Sequence, residues 1–280
     1  MAQKHLWTNT DPCRTASCTL TSPRNSLTEI TPTNLKMIRD VLNDIQAPVS
    51  ADLTTILRGL NNEQSSHLAF AQPFIDRAIA SERLIASSVL MLFARAIGVY
   101  DGNGQRLHAF AIAMELMILS LGAHARLSDA ASSPLLSLGT SAGVLLGDVL
   151  YTRAFQIVIK TQHVGGLAEI ARTTERMVSA AARAHASSTD STHPAAHAAS
   201  FRSEAYAACC RLTFVLNDFV PYDQQVQLNQ LASRIANRRA LPTFHGSNIV
   251  PNVADTNLLH RCCGPSAFRD ALSLFFASWQ

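Results

Sequence analysis

The most apolar part of the chain, residues 109–155, predicts two long helices at the centre of the fold. The first of them is apolar almost all the way round, and Glu115 and Ser120 are its main polar interruptions. Four of its side chains recur at the spacing of one helical face, namely Phe110, Met114, Met117 and Leu121. A helix without a polar face is normally buried in the middle of an all-helical domain.

A polar segment separates the two long helices. The apolar pattern stops shortly before His124, which begins a run of polar residues. The second helix is predicted from near Pro134 to near Lys160, and it carries Gly147 and Asp148 in its middle. A glycine at such a position indicates close packing against a neighbouring helix.

The rest of the pattern predicts one helical domain over residues 31–280, preceded by a flexible tail over residues 1–30. The tail is rich in Thr, Ser, Asn and Pro and has no helical period. Further helices are predicted at residues 31–45, 50–59, 63–80, 81–98, 167–186, 201–221 and 265–278. A low-complexity segment, residues 187–199, is predicted to be a flexible loop.

The composition favours an all-α fold. Hydrophobic residues make up 48% of the chain, which supplies a large core, and aromatic residues make up only 6%. Runs of β-branched residues are short, so the composition favours helix over strand. The net charge of +3 is small and dispersed, which argues against a nucleic-acid partner. Charged residues make up only 15%, which indicates either a surface buried against a partner or an alanine-rich surface.

The cysteine pattern indicates a reducing compartment, and the hydropathy pattern predicts no membrane span. The six cysteines include two adjacent pairs in predicted helices, which is not the pattern of a disulfide framework. Apolar stretches of about 18 residues or more all contain a charge, so no transmembrane segment is predicted. We expect a cytoplasmic location or, in a eukaryote, the mitochondrial matrix.

The polar residues of the two long helices have an ordinary structural interpretation. We expect Glu115 and Asp148 to be partners of helix ends or arginines rather than metal ligands. His124 is expected to bond a backbone carbonyl. Met114 and Met117 are expected to fill the core.

The order of these features resembles the trans-isoprenyl (polyprenyl) diphosphate synthase family. The family's central helix reads roughly E-L-I-H-x-x-x-L-x-H-D-D-x-x-D, and Glu115, Leu116 and His124 fit it in register. A following helix reads roughly L-x-G-D-x-L-x-x-x-A-F, and the residues that fit it are Leu145, Gly147, Asp148, Leu150, Ala154 and Phe155. The resemblance implies an all-α bundle of about ten antiparallel helices around a central cavity.

This chain departs from the family at both aspartate-rich motifs, which in active members hold magnesium ions against the substrate diphosphate. The first motif is reduced to Ala125, Arg126 and a single carboxylate at Asp129. The positions of the second motif are occupied by Asn217, Asp218 and Pro221. Each motif has lost two of its three carboxylates, so the resemblance implies neither a catalytic residue nor a metal ligand set in this chain.

The isopentenyl diphosphate site of the family is also degenerate. Its lysine and its second arginine correspond here to Glu82 and Ile85, and its histidine corresponds to Ile118. Only Arg83 keeps a basic side chain. A glutamate repels a diphosphate and an isoleucine cannot donate a hydrogen bond, so we expect no catalytic elongation by this chain alone.

The resemblance therefore implies a non-catalytic subunit of a heteromeric polyprenyl diphosphate synthase. Such a subunit supports the activity, stability or product chain length of a catalytic partner, for a product such as the ubiquinone side chain. We expect no cofactor on this chain alone and Mg²⁺ in the catalytic partner, within a heterodimer or heterotetramer. The expected interface lies on Gly104–Leu121 and Leu135–Phe155. Its candidate residues are Phe110, Met114, Met117, Leu121, Leu145 and Leu150.

Three other interpretations remain open. A terpene cyclase or another diphosphate enzyme on the same fold would use Asp129, Asp218 and Asp223 as a remnant site. A scaffold or carrier protein would bind a prenyl diphosphate or lipid in the apolar cavity without turning it over. Chance similarity among alanine-rich and leucine-rich helices is the third.

Overall fold

A computed structural model describes residues 40–63, 76, 79, 83–125, 140–187, 194–216, 220–237 and 253–278. These residues form helices and connecting turns, without a strand, and the all-α class is therefore confirmed. The α-helices are α1 (Ser50–Glu63), α2 (Ile85–Ala96), α3 (Gly104–Ala125), α4 (Thr140–Lys160), α5 (Val164–Ser187), α6 (Pro194–Val215), α7 (Tyr222–Ala236), α8 (Val253–Cys262) and α9 (Ala267–Ala277). Residues 40–46 are also helical, and a 3₁₀ turn over Ala47–Val49 leads into α1.

Helix α3 is the central helix of the bundle, as its pattern predicts. It packs against α1, α2, α4, α5 and α6. Phe110 and Met114 are completely buried, and Met117 is 1% exposed. Burying a side chain of this size contributes about 1.5–3 kcal/mol, so the apolar surface of α3 is a principal source of stability.

Helix α4 runs antiparallel to α3 and covers one side of it. The end of α3 at His124 lies against Gly147 of α4, and the start of α3 at Arg106 lines a shared cavity with Lys160. Beyond α3, only α5 makes further substantial contact with α4 among the described residues. The predicted end of this helix near Lys160 is confirmed, and its predicted start near Pro134 lies outside the described residues.

Some boundaries differ from the prediction. The loop predicted over residues 187–199 is helical from Pro194, because proline is well suited to the first turn of a helix and alanines follow it. Helices α7 and α8 were not predicted. The signal for α7 was present in the sequence, because its buried residues Leu228, Leu231, Ala232 and Ile235 recur at helical spacing. The predicted tail, residues 1–30, lies outside the described residues, as does most of the helix predicted over 63–80.

Two helices of the described chain are long and apolar enough to cross a membrane, namely those over Gly104–His124 and Ser141–Lys160. Core helices of soluble proteins pass the same test of length and composition. The first is 67% buried within the chain and the second only 39%. The finding is weak support for a span, and the expected lack of one stays a prediction.

Candidate functional site

The candidate site lies where the C-terminal end of α3 meets the middle of α4. The Ser120 hydroxyl donates to the Gly147 carbonyl at 2.7 Å, and a Cβ at Gly147 would lie 2.4 Å from His124 Nε2. The predicted close packing at this glycine is confirmed. The same ring nitrogen lies 3.6 Å from Asp148 Oδ1, so His124 faces a carboxylate on the neighbouring helix.

The positions that the resemblance assigns to the first aspartate-rich motif begin where α3 ends. Ala125 is the last residue of the helix, and Arg126 and Asp129 lie outside the described residues. Of the second motif, Asn217 and Asp218 also lie outside them, and Pro221 is exposed immediately before α7. The described parts of the chain hold no group of three or more His, Cys, Asp or Glu side chains that could bind a metal ion.

The segment before α2 carries residues that the resemblance assigns to a degenerate isopentenyl diphosphate site. Arg83 and Leu84 both have left-handed backbone, with φ of 53° and 52°. This conformation costs about 1–3 kcal/mol for a residue other than glycine and needs support from its surroundings. Gln46 supplies part of that support, because its side-chain amide donates to the Arg83 carbonyl at 2.7 Å and to the Ser88 hydroxyl at 2.9 Å. Glu82 lies outside the described residues.

Glu115 closes the N-terminal end of α2. Its Oε1 accepts hydrogen bonds from the Ser87 backbone N–H at 2.9 Å and from the Ser87 hydroxyl at 2.8 Å. The expected role of Glu115 as a partner of a helix end is therefore confirmed. Nearby, Ile118 is 2% exposed and Ile85 is half-buried. None of these three side chains, a buried carboxylate and two aliphatic groups, donates a hydrogen bond.

The candidate interface residues divide into two groups. Phe110, Met114, Met117 and Leu150 are buried in the core of the chain itself, Leu121 is half-buried, and only Leu145 is largely exposed, at 64%. The buried four are at most 2% exposed, so within this chain they have almost no surface open to a partner. The helix period alone does not distinguish these positions.

Helix α4 nevertheless presents an apolar surface to solvent, which we call the α4 face. It consists of Val144, Leu145, Val149, Tyr151 and Ile159, which are 39%, 64%, 44%, 39% and 58% exposed. Tyr151 also packs against the half-buried Phe155, with the two rings tilted by 47° and their centroids 4.9 Å apart. Since most large aliphatic side chains of the described residues are buried, this concentration of exposed ones on one helix is the main apolar surface feature.

A polar cluster around Asp52 was missed by the sequence reasoning. Its buried carboxylate accepts from the Tyr100 hydroxyl at 2.7 Å and from Arg95 Nε at 2.9 Å, and His108 Nε2 lies at 3.0 Å. The Arg95 guanidinium also stacks over the Tyr100 ring at 3.6 Å. Asp52 falls on the buried face of α1, four residues before Ile56, and that position was the available signal.

The cluster keeps Asp52 ionised. Burial alone would raise the pKa of this carboxyl, but the hydrogen bonds from Tyr100, His108 and Arg95 outweigh it and hold the pKa below its ordinary value. The cluster joins α1, α2, α3 and the turn before α3, and it holds the N-terminal half of the bundle together. Its role is structural.

A second missed cluster surrounds Glu169 on α5. Arg211 Nε of α6 donates to its buried carboxylate at 2.6 Å, and the Nη atoms of Arg172 and Arg176 lie at 3.3 and 3.7 Å. The Thr173 hydroxyl adds a contact at 3.4 Å. Three guanidinium groups thus face one carboxylate, so positive charge exceeds negative charge at this cluster.

The four described cysteines are buried free thiols, Cys209, Cys210, Cys262 and Cys263. Burial raises the pKa of Cys262 to about 11 and that of Cys263 to about 12, and it raises the pKa values of the other two as well. Because the thiolate is the reactive form, these side chains act as small core residues rather than nucleophiles.

Comparison with models of known protein families and with curated proteins finds no match. Solved structures do match. A polyprenyl synthase from Caulobacter crescentus CB15, solved with calcium and isoprenyl diphosphate, superposes with a TM-score of 0.56 at 18% identity, and 84% of each chain is covered. The chain has the polyprenyl synthase fold. A decaprenyl diphosphate synthase from Rhodobacter capsulatus gives the same TM-score and coverage at 12% identity.

The synthase fold is shared, but at these low identities the roles of site residues in the solved synthases cannot be transferred to residues of this chain. The roles in this chain follow from its own contacts. At the end of α3 these contacts are a histidine beside a carboxylate, and at the start of α2 they are a glutamate cap. Neither arrangement offers clustered donors for a diphosphate.

Proposed function

We propose that this chain is a non-catalytic subunit that associates with a catalytic polyprenyl diphosphate synthase. The observation that carries the proposal is the α4 face, which leaves five large apolar side chains partly exposed on a helix that otherwise packs mainly on α3. The partner's product would be a polyprenyl diphosphate, for instance for a quinone side chain. The Mg²⁺ that this chemistry needs would bind to the partner.

The degenerate diphosphate sites support the absence of catalysis. Magnesium takes oxygen ligands in nearly octahedral order, and the sequence supplies one carboxylate at each aspartate-rich motif, Asp129 and Asp218. Arg126 stands at a position where the family has a metal ligand, and its charge opposes metal binding. Ile118 and Ile85 occupy positions where the family has hydrogen-bond donors to its second substrate, isopentenyl diphosphate, and neither can donate.

The α4 face supports an apolar partner surface. Exposed apolar patches on a monomer are usually small, and larger ones typically mark sites of protein association. The neighbouring exposed positions Thr152 and Gln156 are uncharged. The exposed carboxylate of Asp148 lies on the same side of α4 and faces His124 Nε2 at 3.6 Å, so it is not without a partner when the face is covered. Leu145 and Ile159 are the most exposed of its side chains and are the expected anchors.

The test is co-expression of the chain with the catalytic polyprenyl synthase of its host, with an affinity tag on one of the two. Val149→Glu places a charge in the α4 face and is expected to reduce the recovered partner by roughly tenfold or more, because a buried unpaired carboxylate is costly. Val178→Glu is the matched control. Val178 lies on α5 and is 48% exposed, against 44% for Val149, so the two substitutions are equally accessible to solvent.

Recovery of the partner must depend on the α4 face and not on the exposed surface of α5. Recovery of the partner by the wild type and by Val178→Glu, together with its loss from Val149→Glu, supports the proposal. If no synthase is recovered with the wild type under mild conditions, the proposal is wrong. If both substitutions reduce recovery equally, the α4 face is not the interface.

A further inference from the structure

A cavity of about 270 Å³ lies between α5, α6 and α7. Its lining residues are Arg176, Glu204, Arg211, Asn229, Ser233, Ala236 and Asn237. Four of these side chains are nitrogen donors, and two of the four are permanently charged. The cavity therefore differs from an apolar packing defect.

The cavity adjoins the Glu169 cluster, where positive charge is in excess. Glu169 neutralises one of the three arginines that surround it, and two of those three, Arg176 and Arg211, also line the cavity. Glu204 is the one carboxylate in the lining, and it contributes a single opposing charge. Three guanidinium groups and two carboxylates leave a local charge of +1.

One guanidinium nitrogen of Arg211 lacks a hydrogen-bond acceptor among the described residues. Its side chain is 11% exposed, and its Nε is bound to Glu169 at 2.6 Å. Its Nη2 is buried and makes no hydrogen bond to any described residue. A buried donor without an acceptor is costly, and the cost is greater for a charged group.

We propose that this cavity binds the oxyanion group of a small molecule, a carboxylate or a phosphate. Arg211 and Arg176 both line the cavity, so two guanidinium groups are available to pair with such a group. The side-chain amides of Asn229 and Asn237 also line the cavity and can donate to the same group, whereas the Ser233 hydroxyl already donates to the Asn229 backbone carbonyl at 2.9 Å.

Glu204 restricts the charge of the ligand. Its carboxylate lies in the same lining as the two arginines, so it repels a ligand with several negative charges close together. It accepts hydrogen bonds from hydroxyl or amine groups next to the oxyanion. The cavity therefore favours a ligand of low net charge over an extended polyphosphate.

The test is isothermal titration of the full chain with inorganic phosphate and, in a second arm, with acetate, at fixed ionic strength set by chloride. The wild type is expected to bind at least one of the two anions, and the arm that binds identifies the group. Arg176→Gln is expected to weaken binding about tenfold, because it removes a charged donor from the lining. Glu204→Gln is expected to strengthen binding, because it removes the opposing charge.

Arg172→Gln is the matched control. Arg172 contacts the same Glu169 carboxylate at 3.3 Å but does not line the cavity, so its replacement should leave the affinity within about twofold of the wild type. Both arginines are roughly half-exposed, and neither replacement should prevent folding. Equal losses from the two variants, or no binding of either anion by the wild type, would overturn the proposal. The result is independent of any association through α4.

Discussion

Replacing Glu169 with glutamine is expected to lower the free energy of unfolding by about 3 kcal/mol. The substitution keeps the shape of the side chain and removes its charge. Arg211, which is 11% exposed, then loses the only carboxylate in hydrogen-bond contact with it among the described residues. A buried cation without a counter-charge costs far more than an exposed one, whereas Arg172 and Arg176 are partly relieved by solvent.

Urea denaturation followed by circular dichroism measures this loss, in a chloride buffer without phosphate. Glu175→Gln is the control, since Glu175 is exposed on the same helix and its replacement should change stability by less than about 0.5 kcal/mol. A Glu169→Gln variant as stable as the wild type would show that the arginines do not depend on this carboxylate.

Replacing Asp52 with asparagine is expected to cost about 2 kcal/mol at neutral pH. The carboxylate is 3% exposed, and it binds Arg95, Tyr100 and His108 within 3.0 Å. An asparagine keeps one acceptor oxygen but loses the charge that attracts Arg95. The amide NH₂ group of the asparagine also faces other hydrogen-bond donors and so finds no acceptor there.

The effect of Asp52→Asn has a defined pH dependence. The pKa of Asp52 is lower in the folded chain than its ordinary value, which is about 3.9 in an unfolded chain. The stabilisation is therefore fully present above pH 4 and is lost as the pH falls through the lower, folded pKa. The stability difference between wild type and variant should shrink below about pH 4.

Thermal or urea unfolding between pH 3 and 7, at fixed ionic strength, measures this change. Asp44→Asn is the control, because Asp44 is exposed on the segment that precedes α1. A difference between wild type and Asp52→Asn that stays constant across this range would contradict the assigned role of the Asp52 charge.

The apolar pattern predicted the frame of the fold well. A helix without a polar face is stable only where all its sides are buried, and Phe110 and Met114 are completely buried. Gly147 was also predictable, because a glycine inside an apolar helix indicates close approach. The role of Glu115 followed from a lone carboxylate on such a helix, since it must find a donor.

The ion clusters could not be predicted because their members are distant in sequence. Asp52 meets Arg95 and His108 across 43 and 56 residues, and Glu169 meets Arg211 across 42. No local period brings such residues together. Only the packing order of the helices does so, and one sequence does not reveal that order.

The α4 face shows the same limit within a single helix. Leu145 and Leu150 both fit the apolar pattern, yet the first is 64% exposed and the second 2%. Which side of an apolar helix remains open depends on how many neighbours it has. Helix α3 has five, and α4 has mainly one.

A prenyltransferase assay tests the central claim most directly. Labelled isopentenyl diphosphate, an allylic diphosphate primer and Mg²⁺ are supplied to this chain alone, to the host's catalytic synthase alone and to the mixture. We expect no product from this chain alone, and more product or a changed chain length in the mixture than with the synthase alone. Elongation by this chain alone, or a mixture that behaves like the synthase alone, would contradict the account.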